Sequence, residues 1–572
     1  MAIDQRSRLL DEAAVAAFQR GDGAQALESN PGDPVPRLHN AVVLEHLGRL
    51  AEARREYDHL IGLDPVHAAN AHLQFNRANV LKALGEHELA LEGYALALAA
   101  DLGMIASWLN RGALFKALGR HEPALACYDE LIARHPGLGL VHSARGTVLQ
   151  GLDRGAEALL AHERAAALEP GDARIHNNRG SALYAQQRWD EARAAFQRAA
   201  TLKPDYVEAL CNRGLAEEAL GELGAARANY EQALAPRMAD ARWALGMLQL
   251  LHGEFDAGWE GYAQRWQAHA FGGKPLSSAR PQWRPWLAAE RLLIWGEQGV
   301  GDDLFFGGLL GEARALAPQI TALVDERLLP LFQAALPALR FLPRGAVVEE
   351  GDYDAHLPMG ELPRHLRPDL WPEWRAKPAG AAASAARQSN ARPDAGTARR
   401  LRLAPPPGRE RWRAALNAGE DLLIGVSWFS ADPRTGQRRS LPLKQLVHAL
   451  ELPNVRLVSL QYREQTGPGQ DVEVSEAAVL DAGIDTRADL LGLAGLIGAC
   501  DLVVSIDNSV AHLAASLGMP TWILLPQPPD FRWLLGREDS PWYPSAKLYR
   551  QAVPGDWSSA LARLTKDLQA LR

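Results

Sequence analysis

The first half of the chain repeats one pattern of apolar and polar positions at a constant spacing. Segments that begin NRANVLKALG, NRGALFKALG, ARGTVLQGLD, NRGSALYAQQ and NRGLAEEALG start at positions 76, 110, 144, 178 and 212, an offset of 34 each time. Each unit holds two helical patterns joined by a short turn, often at a glycine such as Gly85 or Gly119. One helix pair cannot bury its own apolar face, so the pattern predicts an α-solenoid of stacked pairs.

Small and aromatic positions within each unit explain the stacking. Alanine recurs at 90, 124, 158, 192 and 226, where it lets the second helix lie close to the first. Four residues later an aromatic residue or histidine fills the space between neighbouring units: Tyr94, Tyr128, His162, Phe196 and Tyr230. We count seven units over about residues 8–270, and the segment LLDEAAVAAFQRGDGAQALE near the start is a candidate cap. The solenoid is therefore predicted to occupy residues 1–270.

This pattern resembles the tetratricopeptide repeat, whose stacked units form a groove lined by the first helix of each pair. An asparagine recurs on that helix and could hydrogen-bond the backbone of an extended peptide without reading its sequence. The predicted acceptor groove therefore includes Asn76, Asn110, Asn178 and Asn212. The arginine next to each asparagine could do the same. In the alternative interpretation, this arginine caps neighbouring carbonyl groups or pairs with acidic residues within the stack. Both interpretations predict a peptide or protein partner.

The second half of the chain alternates between strand and helix patterns. A Pro- and Trp-rich connector at 271–289 leads into a small α/β lobe at 290–376, which contains the predicted strands RLLIW and ITALV. A segment biased to Ala, Gly, Pro, Ser and Arg at 377–405 is a predicted flexible insertion. A second α/β lobe follows at 406–572. Two such lobes place a cleft between the carboxyl ends of their strands, where ligands bind in open sheets.

The glycine-rich loop GEQGVGDD follows the first predicted strand and begins a helix. Its spacing is G-x-x-G-x-G and two acidic residues follow, which disfavours a dinucleotide site. Gly301 permits close approach of a ligand, and Asp302 in an interlobe cleft could take a proton from an attacking hydroxyl. In the structural alternative Asp302 only caps its helix, where acidic residues are favoured. Asp303 is the other candidate acid.

The stretch SIDNSVAHLAASLGMP follows a predicted strand in the second lobe. Asp507, Asn508 and Ser509 can cap the next helix and leave its first N–H groups pointing outward, an arrangement that attracts phosphate. His512 could add a donor, or it could be a histidine packed between helices. Further candidates for the same cleft follow other strands of this lobe: Ser427, Arg439 and Gln461. Arginine suits bidentate phosphate contact, although a solvated basic loop explains Arg439 equally well.

Composition limits the classes of partner. The chain has 572 residues, 47% of them hydrophobic, and a net charge of −8, which is too mild for a general nucleic-acid binder. Its three cysteines have neither metal-ligand spacing nor the even count of a disulfide framework. The N-terminus lacks the apolar core of a secretory signal, and no membrane span is predicted. We therefore expect a cytoplasmic protein.

The GVGDD and SIDNSVAHLAASLGMP segments together resemble glycosyltransferases of the lipopolysaccharide heptosyltransferase type. That resemblance implies the two-lobed GT-B fold and a nucleotide-activated sugar donor bound without metal or other cofactor. It implies Asp302 as the base, with the donor phosphates bound by Arg439 and by the segment from Asp507 to His512. Helical repeats fused to such lobes are similar in layout to O-linked N-acetylglucosamine transferases and to bacterial flagellin glycosyltransferases.

The resemblance implies a protein O-glycosyltransferase that modifies Ser or Thr of a protein acceptor, with flagellin as one candidate. Two alternatives stay open. One is a repeat scaffold whose lobes have lost activity, and the other is a glycan- or lipopolysaccharide-type glycosyltransferase whose repeats only recruit partners.

Overall fold

The computed structural model describes residues 34–63, 65–234, 239–269, 271–366, 402–432, 435–462 and 479–571. The described residues fall into two compact units, an N-terminal unit that ends at Asn212 and a C-terminal unit that begins at Arg213. The candidate cap near the start of the chain and most of the predicted insertion lie outside the described residues.

Helix pairs build the N-terminal unit, as the 34-residue repeat predicts. Its helices are α1 (Pro34–His46), α2 (Leu50–Gly62), a single turn α3 (Pro65–Ala68), α4 (Ala71–Ala83), α5 (His87–Ala100), α6 (Ile105–Ala117), α7 (His121–Arg134), α8 (Gly139–Gly151), α9 (Gly155–Leu168), α10 (Ala173–Ala185), α11 (Trp189–Leu202) and the first part of α12 (Val207–Ala219), which contains the division between the two units. The repeat continues with α13 (Leu223–Gln232), α14 (Ala239–Leu251) and α15 (Phe255–Tyr262). Seven helix pairs lie within the described residues, which confirms the expected number.

Close contact between paired helices explains two recurring residues. The alanines at 90, 124, 158, 192 and 226 are fully buried. The glycine that follows the repeated Asn-Arg lies against the aromatic position of the second helix. A Cβ atom added to Gly180 would lie only 2.6 Å from Cε1 of Phe196, and corresponding contacts occur at Gly112, Gly146 and Gly214. No larger residue fits at these positions without displacing the aromatic ring.

The turn inside each pair keeps a left-handed backbone even where glycine is absent. Gly85, Gly119 and Gly221 have φ angles of 80°, 71° and 80°. Asp153 and Gln187 occupy the same position of their repeats with φ angles of 57° and 60°. The stacked helices therefore impose the turn on residues that rarely adopt it.

The C-terminal unit contains two parallel sheets. The first has the order β3-β2-β1-β4, with β1 (Arg291–Trp295), β2 (Gln319–Val324), β3 (Arg340–Pro343) and β4 (Ala355–Pro358). The second has the order β6-β5-β7-β8-β9, with β5 (Leu422–Ser427), β6 (Val455–Ser459), β7 (Leu502–Ile506), β8 (Thr521–Leu525) and β9 (Ala546–Arg550). Every neighbouring pair is parallel, so the carboxyl ends within each sheet share one edge.

Helices connect these strands as the alternation of patterns predicts. They are α16 (Val300–Gly307), α17 (Leu329–Ala335), α18 (Leu362–Leu366), α19 (Arg409–Ala415), α20 (Gly436–Arg439), α21 (Leu443–Leu450), α22 (Leu490–Ala499), α23 (Ser509–Ser516) and α24 (Ser558–Ala570). The sequence analysis missed β9, an edge strand whose polar residues Lys547 and Arg550 interrupt the apolar run. It also missed β3, which has only four residues.

The last helix pairs belong to the same compact unit as the sheets. We expected the solenoid to extend to residue 270 as one domain, whereas the division into compact units falls after Asn212. Aromatic packing accounts for this difference. The ring of Trp259 in α15 makes edge contacts with Phe306, Phe531 and Trp542, at centroid distances of 6.4, 6.0 and 6.4 Å. The final pair is thus part of the core around the sheets.

The buried His162 predicts an acid-sensitive N-terminal unit. It occupies the aromatic position of the fourth pair, and burial lowers its pKa to about 4. Below pH 6.5 the imidazole of His162 binds a proton in the unfolded chain but stays neutral in the folded unit. The free energy of unfolding therefore falls as the pH drops from about 6.5 to 4, by up to about 3 kcal/mol. His162→Phe, which restores the residue type of the neighbouring pairs, should remove this part of the slope in urea unfolding. His72→Phe, at an exposed site, should leave the slope unchanged; an identical slope in both variants would contradict the assignment.

Candidate functional site

A pocket of about 560 Å³ opens where the carboxyl ends of the two sheets meet in the C-terminal unit. Its walls come from the loops that follow β1, β5, β6, β7 and β8, and from the final helix pair. The lining residues are Trp243, Met247, Tyr262, Phe271, Gln298, Gly301, Asp302, Phe429, Ser430, Ala431, Asp432, Thr435, Arg439, Tyr462, Asp507, Asn508, Ser509, His512, Asp530, Phe531 and Arg532. Seven of the nine predicted catalytic and donor-binding residues therefore share one cavity.

The two sequence segments singled out for chemistry face each other across this pocket. A Cβ atom added to Gly301 would lie 3.5 Å from Cδ2 of His512 and 4.0 Å from Cα of Ser509. These are ordinary van der Waals distances, so the start of α16 approaches the start of α23 closely. Asp302 follows directly, with a side chain that is 17% exposed. The fold thus brings together two segments that lie about 200 positions apart in the sequence.

Asp302 is held by an arginine to which the sequence analysis gave no role. Its Oδ1 atom accepts a short hydrogen bond from Arg532, in the loop after β8. The same guanidinium donates to Asp530 at 2.9 Å and lies over the rings of Phe305 and Phe531, 5.1 and 4.7 Å from their centroids. Burial alone would lower the pKa of Arg532, but Asp530 and Asp302 outweigh it and raise that pKa.

Arg439 extends these contacts to the other segment. Its nitrogens lie 3.6 Å from Oδ2 of Asp507 and 3.7 Å from Oδ2 of Asp530, and it donates to the backbone carbonyl of Asp507 at 3.3 Å. The charges alternate in sign from Asp302 through Arg532, Asp530 and Arg439 to Asp507. The carboxylate contacts of Arg439 exceed normal hydrogen-bond length, so its donors remain able to bind an incoming anion.

The two carboxylates beside Arg439 differ in their environments. Burial raises the pKa of Asp507, and Arg439 offsets only part of that effect. Burial acts on Asp530 in the same direction, but Arg532 and Arg439 together outweigh it and lower the pKa of Asp530. Asp530 is the carboxylate that the two arginines share, hydrogen-bonded to Arg532 and 3.7 Å from Arg439.

Asn508 caps α23 more completely than the sequence analysis expected. Its Oδ1 atom accepts from the backbone amides of Val510 and Ala511, at 3.0 and 3.3 Å. Two of the N–H groups expected to point outward are therefore already satisfied. A phosphate at this helix end would depend on side chains such as Arg439, in addition to the helix dipole.

Ser427 and Gln461 lie behind the pocket and orient the residues that line it. Asn508 donates through Nδ2 to Oγ of Ser427 at 2.8 Å, and Ser427 donates to Gln461 at 3.1 Å. Gln461 also accepts from the backbone amide of Phe429 at 3.1 Å, which fixes the loop after β5. Both predicted residues are buried and neither lines the cavity, so they position other groups.

His512 combines the two alternatives raised for it. It is only 5% exposed and lies parallel to the ring of Trp533, with centroids 5.2 Å apart. Its Nδ1 atom is 2.9 Å from the hydroxyl of Tyr543, and its Nε2 atom is 4.0 Å from Oδ1 of Asp507. It is thus packed among aromatic rings and still forms part of the pocket wall.

Asp303, the alternative acid, has a structural role. It is fully buried, and its Oδ2 atom accepts from Arg344 and from the backbone amide of Asp325, both at 2.7 Å. Burial outweighs these contacts and raises the pKa of Asp303 to about 6. Because Asp303 holds the loops after β2 and β3 and does not line the main pocket, Asp302 is the acid that faces a ligand there.

A buried ion pair joins the final helix pair to the glycine-rich loop. Arg265, just after α15, is fully buried and donates to both carboxylate oxygens of Glu297, at 2.7 and 2.8 Å. Glu297 also accepts from the backbone amide of Gly360 at 2.7 Å. Burial alone would lower the pKa of Arg265, but Glu297 outweighs it and raises that pKa. The guanidinium lies 4.5 Å from the ring centroid of Tyr262, a pocket residue.

The sequence analysis missed the part of the site that comes from the repeat and from the loop after β8. Trp243, Met247 and Tyr262 were assigned to a shortened repeat, and Asp530 was not considered. One feature of the sequence could have indicated that the last repeat lines the pocket: the high density of tryptophan and tyrosine in ARWALGMLQLLHGEFDAGWEGY.

Comparison with known proteins identifies the repeats. A family model described as a TPR repeat matches residues 180–221. These are tetratricopeptide repeats. The chain is also 28% identical over 344 residues to Protein FlbA of Caulobacter vibrioides, an alignment that covers 58% of this chain. It spans 55% of FlbA, so about half the length of that curated relative is matched.

Several solved structures are similar over part of the chain. A tetratricopeptide repeat protein from Parabacteroides merdae is 18% identical, with 43% of this chain and 99% of that chain covered and a TM-score of 0.34. YrrB, described as a TPR protein with an unusual peptide-binding site, is 21% identical, with coverages of 33% and 95% and a TM-score of 0.28. MamA is 22% identical, with coverages of 27% and 92% and a TM-score of 0.26.

The asparagines of the tetratricopeptide repeats link neighbouring repeats. Asn110 donates to Asn79 at 2.9 Å, and Asn212 donates to Asn177 at 3.0 Å, in each case on the first helix of the preceding pair. Asn178 similarly donates to Ser143 at 3.1 Å. All four predicted groove residues are half-buried. Their role in acceptor binding stays a prediction.

Arg77, which follows Asn76, and Arg145, which follows Ala144 at the same repeat position, pair with acidic residues as the alternative interpretation expects. Arg77 pairs with Asp58 at 2.5 Å, and Arg145 pairs with Asp129 at 2.6 Å. Each acid lies on the second helix of the preceding tetratricopeptide repeat. These arginines therefore stabilise the stack.

No described helix is long and apolar enough to cross a membrane. No described cluster of three or more His, Cys, Asp or Glu side chains is arranged to hold a metal ion.

The Arg265–Glu297 pair should dominate the stability of the C-terminal unit. Arg265→Met leaves a buried carboxylate without its main partner and should cost about 3–5 kcal/mol in urea unfolding followed by tryptophan fluorescence. Adding Glu297→Leu should recover part of the loss, because no unpaired charge then remains. Arg291→Met removes a pair with Asp354 that is partly exposed to solvent, and should have a much smaller effect. Equal losses for the Arg265 and Arg291 variants would refute the importance of the buried pair.

Proposed function

We propose that the C-terminal unit is a glycosyltransferase of the GT-B type that uses a nucleotide-activated sugar and modifies Ser or Thr of a protein acceptor. One observation carries the proposal: a single cavity brings together Asp302, Arg439 and the cap of α23. A carboxylate close to an anion-binding surface in one cavity is what sugar transfer from a phosphate leaving group requires.

In the proposed step the acceptor hydroxyl attacks C1 of the sugar. A bond forms between the hydroxyl oxygen and C1, while the bond from C1 to the phosphate oxygen breaks and its electron pair leaves with the phosphate. Asp302 takes the hydroxyl proton as the new bond forms. Arg439 and the dipole of α23 stabilise the negative charge that develops on the leaving phosphate. No metal ion is needed in this scheme.

The architecture supports this proposal. Two parallel sheets contribute their carboxyl ends to one pocket, which is where ligands bind in open α/β sheets. The tetratricopeptide repeats indicate protein–protein interaction, so a protein acceptor is the substrate class that they favour. Flagellin is one candidate acceptor.

A second candidate function is a binding scaffold without transfer activity. The contact between Arg532 and Oδ1 of Asp302 favours it, because that ion pair occupies one oxygen of the proposed base. In the transferase, the second oxygen would take the proton while Arg532 orients the carboxylate.

The test uses the purified full-length chain and a panel of UDP-, GDP- and CMP-sugars. The transferase predicts that at least one donor raises the melting temperature and is slowly hydrolysed, with release of nucleotide. Asp302→Asn should bind that donor with similar affinity but hydrolyse it about 100-fold or more slowly. A chain that binds a donor without any hydrolysis would support the scaffold instead.

Arg439 offers a test of donor binding with a matched control. Arg439→Gln should weaken donor affinity about 10- to 100-fold, because it removes charge-assisted hydrogen bonds to phosphate. Arg438→Gln changes the preceding residue, which donates to the carbonyl of Pro528 at 3.2 Å and does not line the pocket. Equal affinity loss in both variants would contradict the assignment of Arg439.

A further inference from the structure

One wall of the pocket is uncharged and comes from the final helix pair and the segment after it. This aromatic wall consists of Trp243 and Met247 on α14, Tyr262 at the end of α15, and Phe271. The rings of Trp243 and Phe271 are in edge contact at 5.8 Å. Trp243 and Met247, one helical turn apart, are half-buried and so present apolar surface to the cavity.

The charged residues form another side of the lining. Arg439, Asp507, His512, Asp530 and Arg532 belong to the second sheet and its loops. A phosphate group needs cationic or amide donors, and within the lining the guanidinium groups lie on this side. The aromatic wall offers no charged group to a phosphate. The phosphate part of a bound donor would therefore leave the aromatic wall uncovered.

Asp302 lies between the two walls. Its neighbour Gly301 touches His512 on the charged side. On the other side, Asp302 and Tyr262 line the pocket together and also share a smaller cavity beside Glu297. A hydroxyl delivered to Asp302 would therefore arrive along the aromatic wall.

We propose that the aromatic wall is the acceptor subsite, and that it takes a polypeptide segment in which an apolar side chain beside the modified Ser or Thr packs on Trp243 and Met247. This inference rests on the proposed transferase function. It makes the last tetratricopeptide repeat a determinant of acceptor specificity.

The chemistry of the wall favours a polypeptide over other acceptors. A sugar acceptor needs several hydrogen-bonding side chains, whereas two of the four wall residues, Met247 and Phe271, have no polar hydrogen. Tryptophan supplies a large apolar contact with few rotatable bonds, and methionine adapts to side chains of different shape. Such a surface suits the apolar residues of many protein segments, and it continues a series of repeats that indicate protein–protein interaction.

The test compares two reactions of the same enzyme. Donor hydrolysis requires only water as acceptor, whereas transfer to a synthetic peptide requires the acceptor subsite. The peptides contain one Ser flanked by Gly, with Leu, Phe, Asp or Lys placed next to it. We expect Leu and Phe peptides to be the better acceptors. Trp243→Ala should raise their KM about 10- to 100-fold while donor hydrolysis stays within about twofold.

Three further variants keep the result interpretable. Trp243→Phe retains an aromatic ring and should have an intermediate KM, and Met247→Ala should also raise the acceptor KM. Trp286→Ala removes a tryptophan that is 83% exposed and outside the pocket lining, and should change neither reaction. An unchanged peptide KM in Trp243→Ala would overturn the inference. A raised KM for the donor in Trp243→Ala would also overturn the inference, because the aromatic wall would then bind the nucleobase of the donor.

Photo-crosslinking separates this inference from the proposed function. A peptide carrying photo-leucine beside its serine should attach to residues 243–247, as located by mass spectrometry, and excess Leu peptide should compete. If no donor is hydrolysed but this attachment occurs, the transferase proposal fails and the polypeptide subsite stands. If donors are hydrolysed and the peptide attaches elsewhere, the subsite fails and the transferase stands.

Discussion

The geometry of the pocket depends on the buried ion pair between Arg265 and Glu297. Arg265 is fully buried at the end of the helical repeats, and Glu297 lies in the loop that leads to Asp302. Burying a charged side chain is costly unless an opposite charge pairs with it. Moving either group alone would leave the other as an unpaired buried charge. The pair therefore fixes the aromatic wall relative to the loop that carries the proposed base.

The charged residues of the pocket limit how a phosphate can bind. Three carboxylates and two guanidinium groups alternate from Asp302 to Asp507, so the arginines are already partly neutralised by protein acids. A phosphate ligand must compete with Asp530 and Asp507 for Arg439. The long Arg439–carboxylate distances make that exchange less costly there than at Arg532, whose contacts are of full hydrogen-bond strength. The site is thus arranged to accept an anion at Arg439 and to keep Asp302 oriented.

The helical repeats serve two structural purposes in this chain. In the N-terminal unit, asparagine and arginine side chains link one repeat to the next, as Asn110 and Arg145 illustrate. In the C-terminal unit, the final pair packs its aromatic face on the core around the sheets and supplies part of the pocket. A repeat that is shortened and rich in aromatic residues is therefore a component of the site.

Local periodicity was enough to predict the helix pairs, their number and most of the parallel strands, because these follow from apolar spacing within 34 residues or fewer. The pocket residues Asp302, Arg439 and Asn508 were also recognisable: Asn508 from its capping position after a predicted strand, and Asp302 and Arg439 from loops after strands that resemble those of heptosyltransferase-type enzymes. Only the tertiary structure could decide that Arg532 holds Asp302, that Gln461 lies behind the pocket, and that the last repeat forms its wall. Those contacts join residues far apart in the chain, and burial, which no local pattern encodes, determines which charges pair.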